Sequence, residues 1–361
     1  MIALGAGYEF GPAFEGPVGM IGGGPFGFEP YEWTDDTSMA IALAEALAST
    51  SPSSLPQIVT DEVLEKAFNR WCEWSVISKD VGAQTRSVLG AAKRKSRSSN
   101  MEYISLEVAL EASKSHHDRY GRSAGNGSLM RTAPLALAFL RYPHPHPKAE
   151  EEEAALMRAA GAVSALTHWD RDAREACGIW CIAIRHVVLT GTLDIRRALN
   201  RPSLFSEGVS EGHDDGEVSK RVELWNERLN AAESSLPNHF VKNGWVVQAL
   251  QGAWSAIYHS VPASLFSHPS LAPPESAPSF PHPFIRTLET AIRGGNDTDT
   301  VAAIAGSLVG ALYGLGSRED VGEALPVEWR DNLHGWPGVG VVELEKLVLD
   351  IITGYANEKG A

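Results

Sequence analysis

From Asp36 to Tyr355 this chain places apolar residues at intervals of three and four, and nowhere does it alternate them convincingly with polar ones. That spacing gives one apolar stripe on an α-helix and none on a strand. It predicts helices over Asp36–Ser49, Asp61–Ser78, Asp80–Lys93, Arg131–Arg141, Glu150–Thr167, Asp172–Thr190, Ser219–Leu229, Gly244–His259, Pro283–Ile292, Thr298–Leu315 and Val341–Tyr355. Thr60-Asp61, Asp80 and the acidic run from Asp170 to Asp172 mark helix starts, because short oxygen-bearing side chains satisfy the free N–H groups there. The expected fold is therefore all-α, about a dozen helices around one core. No internal repeat or compositional break divides residues 1–361, so a single domain is expected, interrupted by a Pro- and Ser-rich insertion at 261–283 that reads as a long, mobile loop.

Net charge narrows the possible partners. With 31 Lys and Arg against 45 Asp and Glu the chain carries −14, which repels a nucleic-acid backbone or an anionic membrane at long range. The basic run Lys93-Arg94-Lys95-Ser96-Arg97 lies among Gly and Ser and reads as a solvated loop. Pro143-His144-Pro145-His146-Pro147 reads as a rigid extended connector rather than a metal-binding tract. Three cysteines cannot close into a disulfide set, and Cys177 and Cys181 sit one helical turn apart in an apolar stretch, as buried thiols do. A reducing, cytoplasmic setting is expected, with no signal peptide in the opening residues. Val301 to Ser317 is uncharged but short for a membrane span and opens from an acidic cluster, so it reads as a buried core helix.

Two short acidic motifs carry most of the chemistry. Trp33-Thr34-Asp35-Asp36-Thr37-Ser38 and Gly294-Gly295-Asn296-Asp297-Thr298-Asp299-Thr300 each run straight into an Ala-rich helical pattern. Both clusters are therefore expected at helix N-termini. One acidic cap would be ordinary; two, each with a pair of carboxylates, suggest oxygen-only ligation of hard divalent cations such as Mg²⁺ or Mn²⁺. If the fold brings Asp35, Asp36, Asp297 and Asp299 together, with Thr34 and Thr300 adding neutral oxygens, the carboxylates repel one another unless cations neutralise them. Two ions would meet that need. A third motif, Gly125-Asn126-Gly127-Ser128-Leu129-Met130-Arg131, precedes a helix near Thr132-Ala133-Pro134. It suits either a backbone cradle for phosphate oxygens or a tight turn with Gly at positive φ.

Taken together these motifs resemble the ADP-ribosylglycohydrolases, also called ADP-ribosyl-acceptor hydrolases. Ala3-Leu4-Gly5-Ala6-Gly7-Tyr8-Glu9-Phe10, Asp80-Val81-Gly82-Ala83-Gln84-Thr85-Arg86, Thr167-His168 and Gly244-Trp245-Val246-Val247 carry the resemblance along with the three motifs above, in the family's order and from the first residues to about Gly316. The resemblance implies an orthogonal bundle of α-helices, one domain around a cleft for two Mg²⁺ or Mn²⁺ ions. Thr34, Asp35 and Asp36 look like metal ligands from the first motif, and Asp297, Asp299 and Thr300 from the last, with Asp299 as the bridge. Glu9 matches the family's loop glutamate, which gates the site and contacts metals or substrate. Asn126, Gly127, Ser128 and Met130 resemble the segment lining the diphosphate and ribose of ADP-ribose. His168 resembles the cleft histidine, while a helix-capping surface role fits it as well. Trp245 stands where the family often has Tyr, and its indole could stack on adenine. Family members usually begin with a further apolar helix before the Ala-Leu-Gly motif, so the first helix is expected to be missing here.

The activity this implies is metal-dependent hydrolysis of the bond between the distal ribose of ADP-ribose and an acceptor, which is a protein arginine or serine or a small-molecule conjugate. Glu9, Asp36 and Asp297 are the candidates for moving the proton of the attacking water, and a monomer is expected. Two alternatives stand beside it: an inactive relative that binds ADP-ribose, and a two-metal phosphohydrolase acting on a nucleotide or sugar phosphate.

Overall fold

The structure, a computed structural model, describes residues 3–49, 58–99, 101, 103–140, 149–206, 215–274, 281–314, 317–318, 322–323 and 325–353. It is all-α: among the described residues the only paired strands are the two-residue Ser317–Arg318 and Gly322–Glu323. No described helix is long and apolar enough to cross a membrane. The sequence shows no boundary, but the contacts divide the chain into two compact units, Met1–Glu32 with Ile182–Leu333 and Trp33–Cys181 with His334–Ala361. Each unit takes segments from distant parts of the chain, so no linker betrays the division.

The core of the first unit is the Thr298–Tyr313 helix, buried on nearly every face as its uncharged, mostly apolar run after Thr300 demands. Pro283–Arg293, Val246–Tyr258 and the short Ala3–Ala6 helix pack around it. The segment 261–274, expected to be mobile, is tied down. Leu193 N–H donates to Leu265 C=O at 2.7 Å, Ser267 N–H returns to Leu193 C=O at 2.9 Å, and the Phe266 ring meets Trp254 and Tyr258 edge-on. The rest of that loop, 275–280, lies outside the described residues, as does the Pro-His tract.

In the second unit Asp35–Ala48 packs on Asp61–Trp74, and Ala83–Ser98 on Leu106–Tyr120. Thr60 caps its helix by accepting from Val63 N–H at 3.4 Å, as its position predicts. Trp71 is fully buried, and its indole N–H donates to Met39 C=O at 2.9 Å, which fixes the two helices in register. Trp33 anchors the returning chain through Trp33 Nε1–H to Trp336 C=O at 3.1 Å. Two expectations fail here. The basic run 93–97 continues the Ala83–Ser98 helix, still with Arg94, Lys95 and Arg97 in solvent, because nothing in it breaks a helix. The Leu106–Tyr120 helix has no counterpart in the apolar pattern, since much of its buried face is Ala and Ser. Its caps could have revealed it: Ser105 accepts from Val108 N–H at 3.4 Å, and Gly121 ends it at φ 60°.

Candidate active site

Both acidic motifs open helices. Thr34 is the residue before Asp35–Ala48, with Asp35 and Asp36 in its first turn, and Asp297 precedes Thr298–Tyr313 with Asp299 in its first turn. The positive end of each helix dipole favours carboxylates there. Simple capping does not account for them, however, because neither Thr34 nor Asp297 makes a side-chain cap bond to its helix. The Thr34 hydroxyl donates instead to Asp36 Oδ2 at 3.0 Å. Asp35 and Asp36 are 7% and 0% exposed, so this pair of carboxylates is withdrawn from bulk water.

In the first unit one carboxylate oxygen from each of Glu9, Asp297 and Asp299 lies within 4.8 Å of the other two, with Glu9 and Asp299 buried and Asp297 half-buried. Three ionised carboxylates at that spacing repel strongly unless a cation sits among them. An all-oxygen set suits a hard divalent ion. The donors present therefore fit a metal site. Thr300 follows one residue after Asp299 and is also buried.

The Ala3–Ala6 helix explains how Asp299 is held. Gly5 lies directly against it: a Cβ on Gly5 would stand 2.5 Å from Asp299 Cα and 2.7 Å from its N. The Gly5 carbonyl also accepts from Thr298 Oγ1 at 3.0 Å. Only glycine permits that approach, so the Ala-Leu-Gly motif is a surface shaped for the start of the later helix. Glu9 follows four residues on, beside a two-way backbone bridge in which Phe10 N–H donates to Asn296 C=O at 2.6 Å and Asn296 N–H to Gly11 C=O at 2.7 Å. Phe10 and Asn296 both sit in the left-handed region, at φ 58° and 61°, a conformation that is costly for Phe and tolerated by Asn.

The glycine-rich motif belongs to the second unit and forms a 3₁₀ turn, Asn126–Arg131, not a turn with Gly at positive φ. Its glycines serve close approach. A Cβ on Gly125 would lie 3.3 Å from His168 Nε2, and one on Gly127 would lie 3.2 Å from His168 Cε1. His168 is thus a buried support beneath the loop, 1% exposed, and not a surface cap. Asn126 and Gly127 remain half-exposed, while Met130 is buried and the Ser128 hydroxyl turns inward to meet Ser164 Oγ at 2.9 Å.

His168 is also chemically defined. Arg131 Nη2 donates to Thr167 Oγ1 at 2.6 Å, and Thr167 Oγ1 contacts His168 Nδ1 at 2.7 Å. A guanidinium can only donate, so the threonine hydroxyl accepts from it and meets Nδ1 with its other lone pair or its own hydrogen. The imidazole turns its Nε2 edge toward the glycines. Burial first, then the charges of Arg131 and His116, push its pKa well below the ordinary value, so the ring stays neutral. Arg131 is itself fully buried, stacked 3.8 Å over Trp71, and burial lowers its pKa to about 9 despite the pull of Asp35. Gln84 completes the support by donating to the carbonyls of Ser123 at 3.0 Å and Thr167 at 2.9 Å. Arg131, Thr167 and Gln84 were not among the expected site residues. Trp245, at the head of Val246–Tyr258 in the first unit, is 40% exposed, with the Arg228 guanidinium 5.9 Å from its ring.

An all-α chain with paired carboxylates at two helix starts and a glycine turn laid over a histidine agrees with what the resemblance of its motifs implies. The ADP-ribosylglycohydrolase family model matches residues 3–360, and the chain belongs to that family. It is 26% identical over 340 residues to an ADP-ribosylarginine hydrolase, Tri1, of Pseudomonas putida, covering 91% of this chain and 69% of the relative. Bovine ADP-ribosylhydrolase ARH3 is 25% identical over 225 residues, covering 61% of this chain and 56% of the relative. A solved structure described as an ADP-ribosylglycohydrolase-related protein complex superposes with a TM-score of 0.56 at 25% identity, covering 97% of this chain and 92% of its own. The resemblance read from the motifs is thereby established, and with it the chain's character as a glycohydrolase.

Proposed function

We propose that this enzyme removes ADP-ribose from ADP-ribosylated arginine, cleaving the glycosidic bond at the anomeric carbon of the distal ribose with the help of two divalent cations, Mg²⁺ or Mn²⁺. The observation that carries this reading is the convergence of Glu9, Asp297 and Asp299 within 4.8 Å. Arginine is taken as the acceptor because the relative named an ADP-ribosylarginine hydrolase aligns over 91% of the chain. Thr34, Asp35 and Asp36 supply ligands from the first motif, and Asp297, Asp299 and Thr300 from the last. When bound, the cations would polarise the ribose hydroxyls and lower the pKa of a water. Glu9 accepts the proton of the attacking water, with Asp36 and Asp297 as the other carboxylates able to do so. The turn 125–131 holds the diphosphate on its backbone N–H groups, and Trp245 stacks on the adenine.

Incubation with ADP-ribosyl-arginine, ADP-ribosyl-serine and a generic phosphoester, each with Mg²⁺ or EDTA, tests the reading. ADP-ribose should appear from the arginine conjugate only, and EDTA should stop it. Release from the serine conjugate alone would change the acceptor. Phosphoester cleavage alone would make this a phosphohydrolase, and tight ADP-ribose binding without turnover would make it a binding relative.

The His168 imidazole beneath the 125–131 turn matters to binding more than to turnover. Replacing it by Ala removes the ring on which Gly125 and Gly127 rest, so ADP-ribose affinity should fall by about tenfold, the value of roughly one well-made hydrogen bond. Turnover at saturation should change less. Calorimetry with ADP-ribose beside steady-state rates would check it, and an unchanged affinity would reduce His168 to a core residue.

A further inference from the structure

The turn that presents Asp297 is held from two sides. On one side is the backbone bridge of residues 10 and 11 to Asn296. On the other is a single side chain, Asn243, 5% exposed, which lies just ahead of the Val246–Tyr258 helix. Its Nδ2 donates to Gly295 C=O at 3.0 Å and its Oδ1 accepts from Asp297 N–H at 3.1 Å. The two groups it reaches flank Asn296, whose φ of 61° would otherwise leave the turn to relax. A primary amide is suited to this because it offers one donor and one acceptor from a single planar head. A carboxylate of the same shape would set a second acceptor against the Gly295 carbonyl, and an alkyl group would leave both backbone groups buried without it.

We propose that Asn243 is a positioning residue for metal binding: by stapling Gly295 to Asp297 it sets the direction in which the Asp297 carboxylate meets Glu9 and Asp299. This inference rests on the metal-dependent reading above. Groups that orient ligands without touching the ion typically contribute about 10–100-fold in metal affinity, and the same range is expected here.

The test is Mn²⁺ affinity of the full chain without substrate, by calorimetry or by the electron paramagnetic resonance of unbound Mn²⁺. Asn243→Ala and the similarly branched but apolar Asn243→Leu should weaken it about 10–100-fold. Gln251→Ala is the control. That residue is also a buried amide, inside the Val246–Tyr258 helix and donating to Arg228 C=O at 2.9 Å, so it reports general loosening. It should leave Mn²⁺ affinity unchanged even where it lowers the unfolding midpoint as much. Wild-type affinity in a folded Asn243→Leu or Asn243→Ala protein would overturn the assignment, as would an equal loss in Gln251→Ala. Absence of Mn²⁺ binding in the wild-type chain would instead overturn the metal reading itself, and this inference with it.

Discussion

Asp299→Asn is expected to abolish useful turnover while leaving the fold intact. The side chain is 2% exposed, and its backbone is pressed against Gly5 so closely that no Cβ fits between them. The helix start cannot shift to bring another oxygen into place. Asn preserves the shape and removes the charge of the proposed bridging ligand. Loss of an outer-shell partner already costs about 10–100-fold, so loss of a ligand should cost more in kcat/KM, with poor recovery at high Mg²⁺. ADP-ribose binding should weaken as metal occupancy falls. Asp35→Asn should behave similarly. Steady-state rates over a Mg²⁺ titration, with circular dichroism to verify folding, check both, and a variant that stays near the wild-type rate at low Mg²⁺ would remove the bridging role.

Glu9→Gln should separate chemistry from binding. Glu9 shares its carboxylate cluster with Asp297 and Asp299, yet it comes from the other end of the chain and follows directly on the segment that packs against the Thr298–Tyr313 helix. A carboxylate that accepts a proton in the transition state contributes about 10²–10⁴-fold to rate. The amide keeps the volume and cannot accept that proton, so kcat should drop within this range while ADP-ribose affinity is largely preserved. Paired rate and calorimetric measurements decide it. An unchanged kcat would leave Glu9 as a residue of the loop with no part in the reaction.

These two carboxylates differ in how far the sequence exposes them. Asp35, Asp36, Asp297 and Asp299 are legible because everything that places them is local: an oxygen-rich tetrad, then a helical apolar period, puts carboxylates in a first turn without knowledge of any other segment. Glu9 is legible only through likeness to a family, since nothing near it in the chain shows what it faces. The glycine motif was legible as a close-approach loop but not for what it approaches. Gly125 and Gly127 make room for an imidazole some forty residues later, whose own hydrogen-bond state depends on Arg131 and Thr167.

The limits of the helix reading have the same origin. Periodicity finds Thr298–Tyr313 because Val301, Ile304, Leu308, Val309 and Leu312 recur along an uncharged run, and it misses Leu106–Tyr120 because small residues fill much of the face that helix buries. Segment 261–274 looks loose to a period-based reading and is held by Leu193 and Trp254, partners that no local pattern names.

The sequence by itself determined the all-α class, the helix starts that carry the acidic pairs and the membership in one enzyme family, because each depends on neighbours a few residues apart or on motifs in order. Tertiary structure decided the rest. Gly5 meets Asp299, and Asn243 takes hold of the turn before Asp297, only when segments far apart in the sequence are packed together. Local propensity chooses where a helix begins, but the direction of a carboxylate at its end is set by whatever packs against that end.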